Sequence, residues 1–83
     1  MREEVKKKVI ALMREIIDDD EIEIREETNL VNELELSSLE ISGLLSDLED
    51  EFNVEISDTV LRRMITVGNV IDVAMEYIGS GSV

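Results

Sequence analysis

Ser37, Ser38, Leu39 and Glu40 are the residues of this chain whose types and spacing point to chemistry. Ser37 and Glu40 fit a capping box, in which a cap hydroxyl and a Glu three residues on satisfy each other's backbone donors. With Ser37 as the cap, the Ser38 hydroxyl stands at the first helical position with no capping duty. A helix N-terminus offers open N–H groups and partial positive charge, so a phosphate ester on that oxygen would be well placed. The chain itself cannot activate the hydroxyl. It has no His, which removes the Ser-His-Asp triad and any imidazole base. It has no Cys either, so the usual zinc and iron–sulfur sites and disulfide staples are excluded. Activation must come from a partner enzyme, which makes this chain a substrate of modification rather than an enzyme.

Helices must position that serine. Val5, Val9, Leu12, Met13 and Ile16 recur on one face of a 3.6-residue period and predict a first helix over Arg2–Ile17. Asp18, Asp19 and Asp20 end it, because acids oppose the dipole at a helix C-terminus. A long connection follows from Asp18 to Leu36. A lone strand there would have nothing to pair with, so it reads as a loop pinned by Ile22, Ile24, Leu30 and Leu34. Ser37 opens the second helix, whose core stripe is Ile41, Leu44, Leu45, Leu48 and Phe52, with Asn53 as its left-handed stop. At 100° per residue, Leu39, Gly43, Ser46, Asp47 and Asp50 point away from that stripe, with Ser42 at its boundary. Ser57 or Asp58 caps a short third helix carrying Val60, Leu61 and Met64. Thr66 caps a fourth with Val67, Val70, Ile71, Ala74 and Ile78 inward and Gly79 at its close. The expected fold is all-α, a small four-helix bundle of three longer helices and one short, with a long loop between the first two. One domain covers residues 1–79, and 80–83 read as a flexible tail.

Charge narrows the partners. Lys and Arg number 8 against 21 Asp and Glu, a net of −13. Residues 1–14 carry +3, residues 15–58 carry −16 and the remainder is neutral, so the middle of the chain owns the imbalance. Phosphate repels such a surface and only Phe52 and Tyr77 could stack on bases, which argues against nucleic acid; an anionic membrane is disfavoured on the same ground. Cationic protein surfaces are the natural partners. The run Asp18–Glu21 with Glu23 has oxygen ligands but lacks the glycine of an EF-hand loop, and reads as solvated charge with no metal site. With no apolar leader and no membrane span, a soluble cytoplasmic monomer is expected.

Three segments carry a family resemblance. Leu30-Val31-Asn32-Glu33-Leu34-Glu35-Leu36-Ser37-Ser38-Leu39 resembles the stretch leading into the modified serine of acyl carrier proteins. Leu48-Glu49-Asp50-Glu51-Phe52-Asn53-Val54-Glu55-Ile56-Ser57-Asp58 is similar to that family's acidic segment. Ile65-Thr66-Val67-Gly68-Asn69-Val70-Ile71-Asp72 is similar to its last helix start. Order and spacing agree over essentially the whole chain. The resemblance implies that Ser38 receives 4′-phosphopantetheine from coenzyme A through a phosphopantetheinyl transferase and carries acyl groups as thioesters. It also implies docking of acyl-loading, condensing or transferring enzymes on Ser37, Leu39, Glu40, Gly43, Asp47 and Asp50. An acyl chain would lie among Leu45, Leu48, Ile56, Met64 and Ile71.

The chain departs from the family at Ser37, where an Asp is usual, and at Ser42, Gly43 and Ser46, where an acid and two apolar residues are usual. These departures imply a specialised carrier with its own partner set, in fatty-acid, polyketide or related biosynthesis. The alternative from another class is an acidic helical adaptor that is never modified.

Overall fold

Helix α1 spans Arg2–Ile16 in the computed structural model, which describes residues 1–19 and 21–81. Val5, Val9 and Met13 are buried, while Leu12 and Ile16 stand half-buried on its flank. The helix stops one residue short of the expected Ile17. Ile17 turns extended (φ −93°, ψ 124°) yet still donates its N–H to Met13, and its side chain tucks into the core. Of the aspartates read as the stop, Asp18 and Asp19 follow exposed, and Asp20 lies outside the described residues.

Helix α2 spans Ser38–Phe52, with both halves of the capping box formed. Ser37 Oγ accepts from Glu40 N–H at 3.2 Å, and Glu40 Oε1 accepts from Ser37 N–H at 2.9 Å. Asn53 is left-handed (φ 53°, ψ 52°), as expected of a C-terminal stop. The chain then leaves under control of Glu49, whose carbonyl accepts from Val54 N–H and whose carboxylate accepts from Ile56 N–H. Ser57 caps the short segment Asp58–Arg63, which is a 3₁₀ helix. Helix α3 spans Val67–Gly81. It passes through Gly79, expected to close it; among the described residues no glycine takes the positive φ of a left-handed cap. Residues 82 and 83 of the expected tail lie outside the described residues. Val73 joins Val67, Val70, Ile71 and Ala74 in the core, and Ile78 is half-buried. The architecture is the expected all-α bundle, three long helices and one short.

The long loop does find something to pair with. Asn29 bridges Thr66 in antiparallel fashion, and Leu30 N–H donates to the Ile65 carbonyl at 2.9 Å. The partner is the segment entering α3, more than thirty-five residues away and invisible to local pattern. This contact completes the start of α3, whose first turn has no helical acceptors for its N–H groups. Val67 N–H donates to Thr28 O (3.0 Å) and Gly68 N–H to Glu26 O (2.7 Å). Asn69 N–H donates to Thr66 Oγ1 (3.2 Å), and Asn69 Oδ1 accepts in return from Thr66 N–H (2.9 Å). Gly68 permits the approach: a Cβ there would lie 3.1 Å from the Glu26 carbonyl oxygen. Ile24, Leu30 and Leu34 are buried as expected, Ile22 is half-buried, and Thr28 and Leu36 are buried as well.

Ion pairs clamp the same region. Arg2 reaches Glu26 at 2.6 Å and Asp72 at 2.8 Å, and Lys6 stands 3.5 Å from Glu26. The Arg2 guanidinium holds the Glu26 carboxyl below the usual glutamate range, aided by Lys6 and opposed by partial desolvation. A folded pKa below the unfolded one contributes stability that is present above the unfolded value, about 4.3, and lost as pH falls through the folded value. Glu26→Gln should therefore lower the urea midpoint at pH 7, and its gap from the unmutated protein should close as pH drops below the ordinary carboxylate range. A gap that persists unchanged at pH 3 would contradict this account.

Candidate functional site

The two α-helix N-termini that follow loops are satisfied differently. All four leading N–H groups of α3 have acceptors, two of them loop carbonyls. In α2, Glu40 N–H goes to Ser37 Oγ and Ile41 N–H to the Ser37 carbonyl at 3.0 Å. The N–H groups of Ser38 and Leu39 have no acceptor among the described residues. They open beside the Ser38 hydroxyl, which is itself exposed and engaged in no hydrogen bond among those residues. Local sequence explains the difference, since Ser37 accepts only from the third and fourth donors, through its hydroxyl and carbonyl, and the Glu40 carboxylate turns back to the Ser37 N–H.

The approach to Ser38 is held in a constrained turn. Glu35 adopts a left-handed conformation (φ 54°) that non-glycine residues avoid. Buried Leu34 and Leu36 flank it, and Leu36 N–H donates to the Leu30 carbonyl at 3.0 Å. Packing on both sides thus fixes the bend that delivers Ser37 to its capping position.

Beside Ser38 lies a cleft of about 220 Å³ lined by Ser38, Ile41, Ser42 and Leu61. Ile41 and Leu61, both expected in the core, are only half-buried because they form its walls. Leu39 is 82% exposed, and Val31 and Ile65 are also exposed, held on neighbouring strands of chain by the Leu30–Ile65 hydrogen bond. Helical periodicity singled out Leu39. Val31 and Ile65 carried no such signal, since their exposure depends on how loop and α3 entrance meet.

The structure separates the other candidates into two sets. Ser37, Leu39, Glu40, Gly43, Asp47 and Asp50 are all exposed, with Ser37 Oγ and one Glu40 oxygen already committed to the capping box. Leu45, Leu48, Ile56, Met64 and Ile71 are all buried in one aliphatic cluster. The Arg25 guanidinium holds the Glu23 carboxyl below the usual glutamate range, and that of Arg63 does the same for Glu76. Among the described residues no three acids are arranged to hold a metal ion.

Residues 7–74 match the family model described as a phosphopantetheine attachment site. The acyl carrier protein of Thermotoga maritima is 33% identical over 78 residues, covering 94% of this chain and 96% of that one. That of Lactobacillus acidophilus is 35% identical over 78 residues, 94% and 92% of the two chains. In structure, the Enterococcus faecalis acyl carrier protein superposes with a TM-score of 0.75 at 30% identity, over 93% of this chain and 98% of that one. The Thermotoga maritima crystal structure gives a TM-score of 0.80 at 24% identity, over 95% and 92%, a likeness of fold. The chain belongs to the phosphopantetheine-attachment family and, within it, to the acyl carrier proteins. It is a carrier bearing a covalent 4′-phosphopantetheine, and it is not a catalyst.

Gly43 has neither a positive φ nor a neighbour: a Cβ built there meets nothing within 4 Å. In an exposed helix interior glycine costs about 1 kcal/mol against alanine. Gly43→Ala should therefore raise the melting temperature by roughly 4–8 °C, as expected for a domain of this size. An unchanged or lower melting point would point to a role for glycine that the backbone does not reveal.

Proposed function

We propose that Ser38 is the attachment residue and that the protein carries acyl intermediates in a specialised fatty-acid, polyketide or related pathway. The observation that carries this reading is the open pair of N–H groups, Ser38 and Leu39, beside a free hydroxyl at the start of α2. A phosphodiester on Ser38 Oγ would take those donors and the positive end of the α2 dipole, a setting suited to its charge. The group supplies a terminal thiol on which acyl chains ride as thioesters. This chain has no histidine to serve as base, so a phosphopantetheinyl transferase must remove the hydroxyl proton while Ser38 Oγ bonds to the pyrophosphate phosphorus that bears the pantetheine arm of coenzyme A; the pyrophosphate P–O bond breaks and adenosine 3′,5′-bisphosphate leaves. Exposed Leu39 and the acids Asp47 and Asp50 suit docking of loading, condensing or transferring enzymes with basic surfaces. Ser37, Glu40 and Gly43 complete that face. Serine in place of the family's aspartate and the small Ser42, Gly43 and Ser46 leave a smoother, less acidic surface next to the serine, which supports a partner set of its own. We place the carrier in the cytoplasm as a monomer.

Mass spectrometry tests the attachment. With coenzyme A, magnesium and a broad-specificity transferase, the protein should gain one phosphopantetheinyl group, and Ser38→Ala should abolish the gain. Ser37→Ala should keep it, with the lost cap costing about 1 kcal/mol of stability. Failure with transferases of both narrow and broad specificity would hand the reading to an unmodified acidic adaptor.

The acyl chain has an entry in the same reading. In that reading an acyl chain would enter by the cleft of Ser38, Ile41, Ser42 and Leu61 and lie among Leu45, Leu48, Ile56, Met64 and Ile71, core side chains that are flexible aliphatic or thioether groups. Attaching a long acyl chain to the loaded protein should shift the methyl NMR signals of these five residues. Methyl spectra identical before and after acylation would sink that placement.

A further inference from the structure

The cleft beside Ser38 has two kinds of wall. Ile41 on α2 and Leu61 on the 3₁₀ helix are apolar and half-buried, while Ser38 and Ser42 bring hydroxyls. Ser42 lies one helical turn beyond Ser38, about 6 Å along the α2 axis. A serine inside a helix can turn its hydroxyl back to the carbonyl four residues earlier. Here that carbonyl belongs to Ser38, and the Ser42 hydroxyl makes no hydrogen bond to any described residue. Serine also forms helix less readily than alanine, and exposed Ser42 fills no gap in the core. Neither capping nor packing accounts for it. The cleft measures about 220 Å³, below the roughly 300–1,000 Å³ of sites that enclose a whole drug-sized ligand. Its occupant is therefore a short stretch of chain that carries both apolar and polar groups.

We propose that this cleft seats the first part of the phosphopantetheine arm, with Ser42 Oγ accepting from the arm's first amide and with Ile41 and Leu61 packing against its methyl groups. The proposal rests on the reading of Ser38 as the attachment residue. Beyond its phosphate the arm carries, in order, a carbon with two methyls, a hydroxyl and an amide. The methyls suit Ile41 and Leu61, and the amide N–H suits the open lone pairs of the Ser42 hydroxyl. A hydrocarbon tail passing inward answers Ile41 and Leu61 only, and it would strip water from Ser42 without returning a hydrogen bond. Tethering favours the arm as well. One end fixed at Ser38 makes the contact intramolecular, so a weak seat is filled without any partner. Ser42 thus has a task separate from docking other proteins. At rest it holds the arm between α2 and the 3₁₀ helix, and an enzyme that takes in the whole arm must first part the two.

The test uses the loaded protein, its arm isotope-labelled through coenzyme A and its mass checked before any spectrum is taken. The arm's methyls should give NOEs to Ile41 and Leu61. The neighbouring amide should exchange with solvent about fivefold more slowly than in free coenzyme A, the protection that one ordinary hydrogen bond gives. Ser42→Ala should return that exchange to the free rate. Ser42→Thr, which keeps the hydroxyl, should retain most of the protection. Ser46→Ala, on the same helix but outside the cleft, should leave it unchanged. Both serines are exposed, so the fold tolerates these substitutions. Absence of NOEs to the cleft, or protection that survives Ser42→Ala, would overturn the seat, as would equal losses in Ser42→Ala and Ser46→Ala. A protein whose mass never gains the arm sinks the attachment reading and the seat with it. A loaded protein whose arm amide exchanges at the free rate overturns the seat alone.

Discussion

The hydrogen bonding of the long loop to the entrance of α3 is the constraint on which the rest of this small protein depends. A helix beginning inside a bundle must find acceptors for four N–H groups, and a buried donor left without one is costly. Here Glu26 and Thr28 supply two carbonyls and Thr66 the rest. The same loop carries Leu30, Leu34 and Leu36 into the core and then turns through left-handed Glu35 into the α2 cap. Docking the loop on α3 therefore also sets where Ser38 stands.

Charge works around that dock. Most acids lie in the middle of the chain, and the basic first helix answers part of them: Arg2 and Lys6 close on Glu26, Arg2 on Asp72 and Lys8 on Glu51. These are surface pairs, worth little one by one. Their placement matters more than their number, because Arg2 and Lys6 tie the N-terminus of α1 to the residue whose carbonyl caps α3. Among the described residues, Glu51 is the one acid of α2 with a cationic side chain beside it.

The start of α2 divides its labour between neighbours. Ser37 and Glu40 close the capping box, and that frees Ser38 and its adjoining N–H groups from structural duty. Had Ser38 been the cap, its hydroxyl would be committed to a backbone donor and poorly suited to carry a covalent group. Leu39, exposed immediately after it, contributes nothing to the core and so is available for recognition.

Short-range chemistry was legible without the fold. The capping box, the Asn53 stop, the Thr66 cap and the apolar periods of α1 and α2 all follow from interactions spanning a few residues, and the segment around Ser38 is itself contiguous. The sequence thus determined the helices and the absence of any histidine base. Only the tertiary structure decided what depends on distant partners. The loop's pairing with Thr66 is one such case, since its partner lies far along the chain. Another is α3 running past Gly79, where no left-handed cap formed to end it. The half-buried Leu12, Ile16, Ile41 and Leu61 are a third: periodicity places them on inward faces, but the edge of a helix–helix contact decides whether such a residue fills the core or lines a groove.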